Sequence, residues 1–238
     1  MNLLTPTMNS IKALSEKTDR VLLFHSAAGK DSIALLEMLS PHFKFIQCVF
    51  LYMVKDLDHI NRYIKWAENR YKNCKFIQTP HYAYYNLKKQ GLYESEQIPY
   101  SEWALSKIAD KVTEETGIEH SVYGFKKNDS MNRRIMLNGY ENFTNPQGTK
   151  IYPLADWSNR QVLAYIKKQR LINPLQYSKL GNAKSQGTAI DDIGFLMWCK
   201  SNAPEDLKKV IAEFPDAERI IFEYEYQIKQ KKDGNEQG

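Results

Sequence analysis

One lysine and one aspartate lie in a short turn of small residues, HSAAGKDS at residues 25–32, directly after the apolar run VLLF. A strand that ends at a glycine-containing loop and continues as a helix leaves backbone N–H groups unpaired at the helix start. The helix dipole favours negative charge at the same place. Lys30 adds a cation, Ser32 adds a hydroxyl, and Asp31 can orient the loop or hold a metal ion. The turn therefore predicts a binding site for an anion, above all a phosphate.

A second group of charged residues follows a later apolar run, in the segment GFKKNDSMNRR at residues 124–134. Gly124 at the end of the run would let a nucleotide approach the backbone. The lysine and arginine side chains could neutralise phosphate or sulfate oxygens, although a basic run seen in isolation is more often a solvated loop. The candidate substrate-binding residues are Lys126, Lys127, Asp129, Ser130, Arg133 and Arg134.

The elements that must position these residues alternate between strand and helix. Such alternation predicts right-handed crossovers and a parallel sheet with helices on both faces, an α/β Rossmann-like fold. In an open parallel sheet, ligands bind beyond the carboxyl ends of the strands, where the strand order reverses. The third helix is expected to begin at Ser101 and end at Gly117. The predicted strands are RVLLFHS, FKFIQCVFLYMV, CKFIQTP and HSVYGF, and the helices between them are DSIALLEMLSP, DLDHINRYIKWAENRY and YSEWALSKIADKVTEETG.

The character of the chain changes beyond Asn138, where the segment NGYENFTNPQGTK is rich in turn residues. The segment IYPLADW is predicted to be a short strand or an extended segment. A helix capped by Ser158 is predicted to follow it, and two of the later helices are separated by Pro215. We expect residues 1–150 to form a nucleotide-binding domain and residues 151–238 to form a smaller helical region on its substrate side.

The composition narrows the classes of partner. The chain has 238 residues, 42% of them hydrophobic, and a formal net charge of +5. The hydrophobic content is sufficient to fill a sizeable core. The small positive net charge suits an anionic ligand but is weaker than the charge of a dedicated nucleic-acid-binding protein. No stretch reaches the roughly 18 apolar residues of a membrane span, and the first residues lack the apolar region of a secretory signal. We expect a cytoplasmic protein without a membrane partner.

Three cysteines, Cys48, Cys74 and Cys199, occur without a CxxC pair and without histidine or cysteine at ligand spacing. This spacing signals neither a zinc site nor an iron–sulfur cluster, so we expect buried thiols in a reducing compartment. Cys199 lies in the apolar stretch FLMWCK, where a thiolate is disfavoured. Zinc, iron–sulfur clusters and a reactive thiol are therefore not expected.

The phosphate turn and the basic segment resemble the PP-loop family of adenine-nucleotide α-hydrolases, and within it the phosphoadenosine phosphosulfate (PAPS) reductase branch. Residues 29–32, GKDS, are similar to the second half of the S-G-G-x-D-S signature, whereas Ala27 and Ala28 replace its serine and first glycine. The basic segment is similar to G-x-R-x-x-E-S-x-x-R, with Lys126 for the first arginine and Asp129 for the glutamate. A third segment, YPLADWSNRQVLAYI, is similar to the P-L-x-x-W-x-x-x-x-V-x-x-Y-I block of the same branch, and we assign it to the fold.

The resemblance implies that the protein binds ATP or a related adenine nucleotide with Mg2+ and acts at the α-phosphate, as an ATP pyrophosphatase or adenylyl transferase. It implies that the turn holds the pyrophosphate, that the end of the second strand reads adenine, and that Lys126 and Arg133 face the anionic substrate. The catalytic candidates are Lys30, Asp31, Lys126 and Arg133, with Asp31 also the metal ligand. The cofactor-binding candidates are Ser26, Ala27, Ala28, Gly29, Lys30, Asp31, Ser32, Leu51, Tyr52, Met53 and Gly124.

Two alternatives stay open from the sequence. The chain lacks the E-C-G-x-H tail of the PAPS reductases, so one alternative is a sulfonucleotide-binding, reductase-like protein that requires a partner for redox chemistry. The other is a subunit of a nucleic-acid-modification system, for which KKQRL, SKLGNAKSQ and HYAYY could supply phosphate contacts and stacking. Solvated helix faces and core tyrosines explain the same residues. A protein partner subunit or a homodimer stays open in each case, and the acceptor substrate is not identified.

Overall fold

The computed structural model describes residues 3–25, 29–89, 104–172 and 192–235. Within these residues no helix is both long and apolar enough to cross a membrane. The strands are β1 Arg20–His25, β2 Phe45–Tyr52, β3 Cys74–Pro80, β4 Ser121–Tyr123 and β5 Lys150–Ile151. The helices are α1 Leu4–Ser15, α2 Lys30–Leu39, α3 Asp58–Arg70, α4 Tyr82–Lys89, α5 Leu105–Thr116, α6 Met131–Asn138, α7 Asn159–Lys168, α8 Ile193–Asn202, α9 Pro204–Glu213 and α10 Asp216–Asn235.

The strands of the described residues form one parallel sheet in the order β3-β2-β1-β4-β5. Leu23 of β1 lies opposite Cys48 of β2 on one side and Val122 of β4 on the other. The chain therefore adds β2 and β3 on one side of β1 and then crosses to the other side for β4 and β5. The strand order reverses between β1 and β4, where a parallel sheet offers a ligand crevice at its carboxyl end. The predicted α/β Rossmann-like fold is confirmed.

The alternation of side chains along β1 separates two apolar layers. Val21 and Leu23 belong to a cluster with residues of α1, α2 and α7, whereas Leu22 and Phe24 belong to a cluster with residues of α5. A third cluster joins Phe50 of β2 and the first turn of α3 to helices α8, α9 and α10. Helices therefore cover both faces of the sheet, as the sequence predicts.

Local signals account for several helix ends. Ser158 accepts a hydrogen bond from the backbone N–H of Gln161, whose side chain binds back to the Ser158 N–H, and this capping box starts α7 as predicted. Gly117 follows α5 with a φ of 65°, in the left-handed region that favours glycine. The predicted helix start at Ser101 lies outside the described residues, and the described helix begins at Leu105.

Three of the helices, α1, α4 and α6, are not recognised from the sequence. Helix α6 lies in the basic segment, and only Leu137 among its residues is buried. A helix of eight residues with one buried side chain gives too short a periodic pattern for sequence analysis to detect. Helix α6 begins because the hydroxyl of Ser130 accepts a hydrogen bond from the backbone N–H of Arg133.

A buried carboxylate joins α9 to the start of α3. The side chain of Asp206 is fully buried and accepts hydrogen bonds from the backbone N–H groups of Asp58 and His59. The Nδ1 atom of His59 lies 2.6 Å from the same carboxylate. Burial raises the pKa of Asp206, but the hydrogen bonds from His59 and from the two backbone groups outweigh it and lower that pKa. These contacts join α9 to α3 across 147 residues of sequence.

Candidate functional site

The two charged segments meet at the carboxyl ends of β1 and β4. Helix α2 starts at Lys30 after the turn that follows β1, and Gly124 directly follows β4. A Cβ atom placed on Gly124 would lie 2.9 Å from the Cβ of Asp31, so glycine is required for this approach. Because β1 and β4 are neighbours in the sheet, the strand order brings together two segments that are distant in the sequence.

Five charged side chains form a continuous series of ion pairs at this place. The Oδ2 atom of Asp31 lies 2.9 Å from Lys30 Nζ and 2.8 Å from Lys126 Nζ. Lys126 Nζ also lies 3.0 Å from Oδ1 of Asp129, whose Oδ2 lies 2.9 Å from Nη1 of Arg133. Lys126 is only 1% exposed, and two carboxylates compensate the desolvation of its charge. We call these five residues the charge cluster: Lys30, Asp31, Lys126, Asp129 and Arg133.

The carboxylate of Asp129 is held by the backbone as well as by ion pairs. The backbone N–H of Lys126 donates to its Oδ2 atom at 2.9 Å. Burial raises the pKa of Asp129, but the hydrogen bonds and charge of Lys126, together with the charge of Arg133, outweigh it and lower that pKa. The charge cluster contains three cationic side chains and two acidic ones.

A cavity of about 210 Å³ opens onto the charge cluster. The guanidinium of Arg133 lies 3.9 Å from the centre of the Phe125 ring, and the side chain of Arg133 is 40% exposed. The Oδ1 atom of Asp31 is buried and has no hydrogen-bond partner among the described residues. A buried acceptor without a donor is costly, and a ligand hydroxyl could supply that donor. The lining residues are Phe24, Asp31, Ser32, Gly124, Phe125, Asp129 and Arg133.

The predicted phosphate turn is described only in its second half. Ser26, Ala27 and Ala28 lie outside the described residues. Gly29 precedes α2 in an extended conformation, and Ser32 in the first turn of that helix is buried and lines the cavity. The helix start is therefore adjacent to the cavity, as the sequence predicts for an anion site.

The predicted residues at the end of β2 do not line the cavity. Leu51 and Met53 are buried in the apolar clusters. Tyr52 packs edge-on against Tyr84, with ring centres 6.2 Å apart. The role in adenine recognition that the resemblance implies for this strand end stays a prediction.

Three predicted substrate-binding residues have other contacts at the rim of the site. Lys127 pairs with Asp156, with Nζ and Oδ1 2.8 Å apart. The Nε atom of Arg134 donates to the backbone carbonyl of Lys127 at 3.4 Å. Ser130 caps α6. These contacts position the backbone that carries Arg133.

Two aromatic residues of the cavity, Phe24 and Phe125, were not predicted. Phe24 stacks on Tyr123, with ring centres 4.8 Å apart and planes 8° apart. Phe125 packs against the same tyrosine at 5.5 Å. An aromatic residue at the end of a buried strand is typical of a core, and the available signal for Phe125 was its position directly after Gly124.

A larger cavity, of about 730 Å³, lies between α1 and the residues that precede β5. Its lining is composed mainly of amide, hydroxyl, proline and small apolar side chains, with Lys17 and Glu141 as its charged residues. None of the residues predicted for the site lines it. The larger cavity is therefore not the better candidate for the functional site, because the charged groups that could bind an anion lie at the smaller cavity.

Comparisons with known proteins agree with the fold. The model of the phosphoadenosine phosphosulfate reductase domain family matches residues 21–188. A search of curated protein sequences gives no match. Among solved structures, the PAPS reductase from Candida auris in its phosphate complex has a TM-score of 0.51 at 17% identity, with 75% of this chain and 86% of that chain covered. At this identity the likeness shows the fold alone.

Two further solved structures resemble the chain more weakly. The U34-tRNA thiolase NcsA from Methanococcus maripaludis, with its [4Fe-4S] cluster, has a TM-score of 0.46 at 17% identity, with 92% of this chain and 78% of that chain covered. The NH3-dependent NAD synthetase from Campylobacter jejuni, in complex with nitrate, has a TM-score of 0.49 at 10% identity, with 92% and 96% covered. Neither likeness assigns a function to this chain.

The cofactor prediction was wrong. It named ATP with Mg2+ on Asp31 and set aside zinc and iron–sulfur clusters. In the part of the chain that the structure describes, no group of three or more His, Cys, Asp or Glu residues could hold a metal ion, and two ammonium groups engage Oδ2 of Asp31 instead. NcsA carries a [4Fe-4S] cluster, and at a TM-score of 0.46 that cluster is a property of NcsA alone. No cofactor is assigned here.

The family match agrees with the geometry of the site. It extends over well over half of the chain. The two segments that carry the resemblance in sequence lie together in the crevice between β1 and β4, joined by the ion pairs of the charge cluster. The chain therefore belongs to the phosphoadenosine phosphosulfate reductase domain family.

Proposed function

We propose that this protein binds an adenine nucleotide as its substrate, with a phosphate or sulfate group of the nucleotide in the cavity beside Arg133. One observation carries the proposal: the partly exposed guanidinium of Arg133 lines the cavity in the crevice between β1 and β4, beside a buried oxygen of Asp31 that has no donor among the described residues. Membership of the PAPS reductase domain family supports the adenine nucleotide as the ligand class. The similar PAPS reductase from Candida auris is a phosphate complex, which is the same anion chemistry.

The residues of the site have different roles in this proposal. Arg133 contacts the anion, because its guanidinium is partly exposed and can donate two parallel hydrogen bonds to an oxyanion. The Phe125 ring lies against the guanidinium of Arg133 and holds it by a cation–π contact. Lys126 is a positioning residue, since its buried ammonium holds two carboxylates together. The Oδ1 atom of Asp31 accepts a hydrogen bond from a hydroxyl of the nucleotide.

The reaction in this proposal is substitution at the α-phosphorus of a nucleotide that carries an anhydride there. An oxyanion of the acceptor forms a bond to the α-phosphorus. The bond from that phosphorus to the leaving-group oxygen breaks, and its electron pair departs with the leaving anion. Backbone N–H groups at the start of α2 and the guanidinium of Arg133 stabilise the developing negative charge. Catalysis then consists of positioning and charge stabilisation.

The same cavity supports a second candidate, a sulfonucleotide-binding protein that leaves redox chemistry to a partner. The observation that favours it is the state of the thiols, since all three cysteines are buried. Burial, with a smaller contribution from Asp206, raises the pKa of Cys199 to about 12. Cys199 is therefore protonated at neutral pH and does not serve as a nucleophile. In this candidate the partner supplies the thiolate that attacks the sulfonyl sulfur.

Isothermal titration calorimetry on the full chain tests the proposal, with PAPS, adenosine 5′-phosphosulfate, ATP, AMP and inorganic phosphate as titrants. We expect Arg133→Gln to weaken binding of the tightest nucleotide about 10- to 100-fold, because hydrogen bonds to charged groups contribute about 1.5–3 kcal/mol. Arg160→Gln is the matched control, since Arg160 is an exposed arginine of α7 and does not line the cavity. We expect it to change the affinity less than about twofold.

The outcomes of the titration separate the candidates. Equal losses from the two arginine variants would indicate general attraction of anions and would overturn the assignment to Arg133. If inorganic phosphate bound and none of the nucleotides did, the assignment of a nucleotide as the substrate would be wrong. Binding of the two phosphosulfates without binding of ATP or AMP favours the second candidate over substitution at the α-phosphorus.

A further inference from the structure

The larger cavity, of about 730 Å³, is a groove along one side of α1. The helix residues that line it run from Pro6 to Leu14 and recur three or four positions apart, so they share one side of the helix. They cover about 12 Å of the helix axis, and Lys17 lies just beyond the helix end. The opposite wall belongs to residues 139–148. We call this cavity the α1 groove. Its length matches about four residues of an extended peptide chain.

The wall opposite α1 continues the sheet beyond its edge strand. Thr144 forms an antiparallel bridge with Ile151 of β5, and the residues on either side of Thr144 make the hydrogen bonds that hold this bridge. In this pattern the N–H and carbonyl groups of Thr144 itself point away from β5. The N–H donates to the Glu141 carbonyl at 2.9 Å, whereas no described residue donates to the Thr144 carbonyl. Thr144 lines the α1 groove and therefore offers it an unused strand acceptor.

Both walls of the α1 groove carry a side-chain amide. Asn9 lies on α1 and Asn142 lies on the opposite wall, and both are exposed. Neither amide group forms a hydrogen bond with a residue that the structure describes. An asparagine amide combines an acceptor oxygen with a donor NH2 group, which is the pairing that a peptide group requires. The two amides can therefore bind the backbone of an extended chain that lies between them.

The wall that carries Asn142 is held in a backbone conformation that side chains rarely adopt. Asn142 has a φ of 49° and Phe143 has a φ of 61°. This left-handed region is unfavourable for a residue as large as phenylalanine. The backbone N–H of Tyr152 donates to the Phe143 carbonyl at 2.8 Å and fixes it beside β5. Strain of this kind is typical of ligand-binding segments, and here it shapes the wall before a ligand arrives.

The two charged residues of the α1 groove, Lys17 and Glu141, lie on opposite walls. Both are exposed, and neither forms an ion pair with the other or with another described residue. A ligand with one acidic and one basic group would pair with both. A nucleic acid, whose backbone charges are all negative, would pair only with Lys17. The charges therefore favour a peptide over a nucleic acid.

We infer that the α1 groove binds an extended peptide segment of a partner protein, with an acidic group of the peptide against Lys17 and a basic side chain against Glu141. Hydrogen bonds from the peptide backbone to the sheet edge and the two amides supply affinity, as in strand addition at a sheet edge. The charged pairs set the direction of the peptide. No lining residue is shared between this groove and the cavity at the charge cluster, so the inference does not depend on the proposed function.

Selection of a phage-displayed library of random heptapeptides on the full chain tests this inference, followed by fluorescence polarisation with the selected peptides. We expect the selected peptides to contain both an acidic and a basic residue. Ala13→Trp should weaken their binding at least about tenfold, because Ala13 lines the groove and an indole would fill it. Lys12→Trp is the matched control, since Lys12 is an exposed residue of the same helix that does not line the groove. We expect it to change the affinity less than about twofold. Circular dichroism verifies that both variants are folded.

Charge reversal tests the direction of the peptide. Lys17→Glu should weaken the selected peptides about tenfold. A peptide whose acidic residue is replaced by lysine should bind Lys17→Glu more tightly than it binds the wild type. Failure of this exchange would overturn the placement of the acidic group. A selection that enriches no peptide would overturn the inference, as would peptides that bind folded Ala13→Trp with full affinity. Binding of maltotriose or of single-stranded poly(U) that Ala13→Trp abolishes, without binding of peptides, would identify another class of ligand and would also overturn it.

Discussion

Two aspartates, Asp31 and Asp206, lie close to helix starts and yet have different surroundings. Both oxygens of Asp206 accept hydrogen bonds, from two backbone N–H groups and from the His59 ring. Asp31 uses one oxygen for two ammonium groups and leaves the other without a donor among the described residues. Asp206 is enclosed by the apolar cluster of α8–α10, whereas Asp31 lines a cavity. A fully bonded buried carboxylate stabilises the fold, and an incompletely bonded one on a charged cavity can serve a ligand.

An unpaired buried atom is not sufficient to identify a site. Next to Asp206, His59 Nε2 and Trp198 Nε1 also have no hydrogen-bond partner among the described residues. Their rings lie 5.3 Å apart in an edge-to-face arrangement within apolar surroundings. The site at Asp31 differs because three cationic side chains, a helix start and a cavity occur at the same place.

The strongest test of this difference is Asp206→Ala. We expect it to lower the free energy of unfolding by about 3–5 kcal/mol, because it removes the acceptor of a buried histidine and of two backbone N–H groups. Urea unfolding measures the change. Asp216→Ala is the control, since it removes an exposed pair with Arg219 and should cost at most about 1 kcal/mol. Similar losses in the two variants would contradict the structural role of Asp206.

The close approach of the two segments at the site is tested by Gly124→Ala. Its Cβ would lie 2.9 Å from the Cβ of Asp31, so the backbone must move, and we expect a loss of about 1–3 kcal/mol in unfolding free energy. Nucleotide affinity should fall as well, because the displacement separates Asp31 from Lys126. Gly139→Ala is the control, with its nearest neighbour 3.5 Å from the added atom. If Gly124→Ala kept full stability and affinity, the two segments would not be held together as described.

The ligand role of Asp31 is tested by Asp31→Ala. We expect about a tenfold loss of nucleotide affinity, since the ligand loses an acceptor and the lysines lose a fixed partner. The loss of stability should be smaller than in Asp206→Ala, because Lys126 keeps its pair with Asp129. Calorimetric titration and urea unfolding provide the two values, with Asp19→Ala, an exposed aspartate paired with Lys44, as the control. Unchanged binding and turnover in a folded variant would remove Asp31 from the site.

The smallest expected effect is a difference in pH dependence. The pKa of Asp206 is lowered in the folded protein, so its stabilising contribution is present above the unfolded pKa near 4 and is lost as the pH falls through the folded pKa. The fall in unfolding free energy between pH 5 and pH 3 should therefore be less steep in Asp206→Asn, by at most about 1.4 kcal/mol per pH unit. Asp129→Asn should change the slope less, since Asp129 is closer to solvent. Equal slopes in wild type and Asp206→Asn would contradict the assignment.

The sequence alone determined the features that depend on neighbouring residues. The alternation of apolar runs and helical segments predicted the parallel sheet, and Ser158 and Gly117 marked helix ends that the structure confirms. The pattern Gly29-Lys30-Asp31-Ser32 predicted an anion site at the start of α2, and that site stays a prediction. The predictions of the sheet and of the helix ends succeed because helix capping, glycine conformation and apolar periodicity act over a few residues.

The tertiary structure alone decided which charges are buried and which face the cavity. Lys126 and Arg133 are both basic residues of the segment 124–134, and the sequence does not distinguish their roles. In the structure Lys126 is enclosed between two carboxylates, whereas Arg133 lies over Phe125 at the cavity. This outcome depends on β4 lying beside β1, which no local pattern specifies. The pair of His59 and Asp206 spans 147 residues and likewise has no local signal. Burial and ion pairing between distant segments follow from strand order and helix placement, so they are settled only when the whole chain folds.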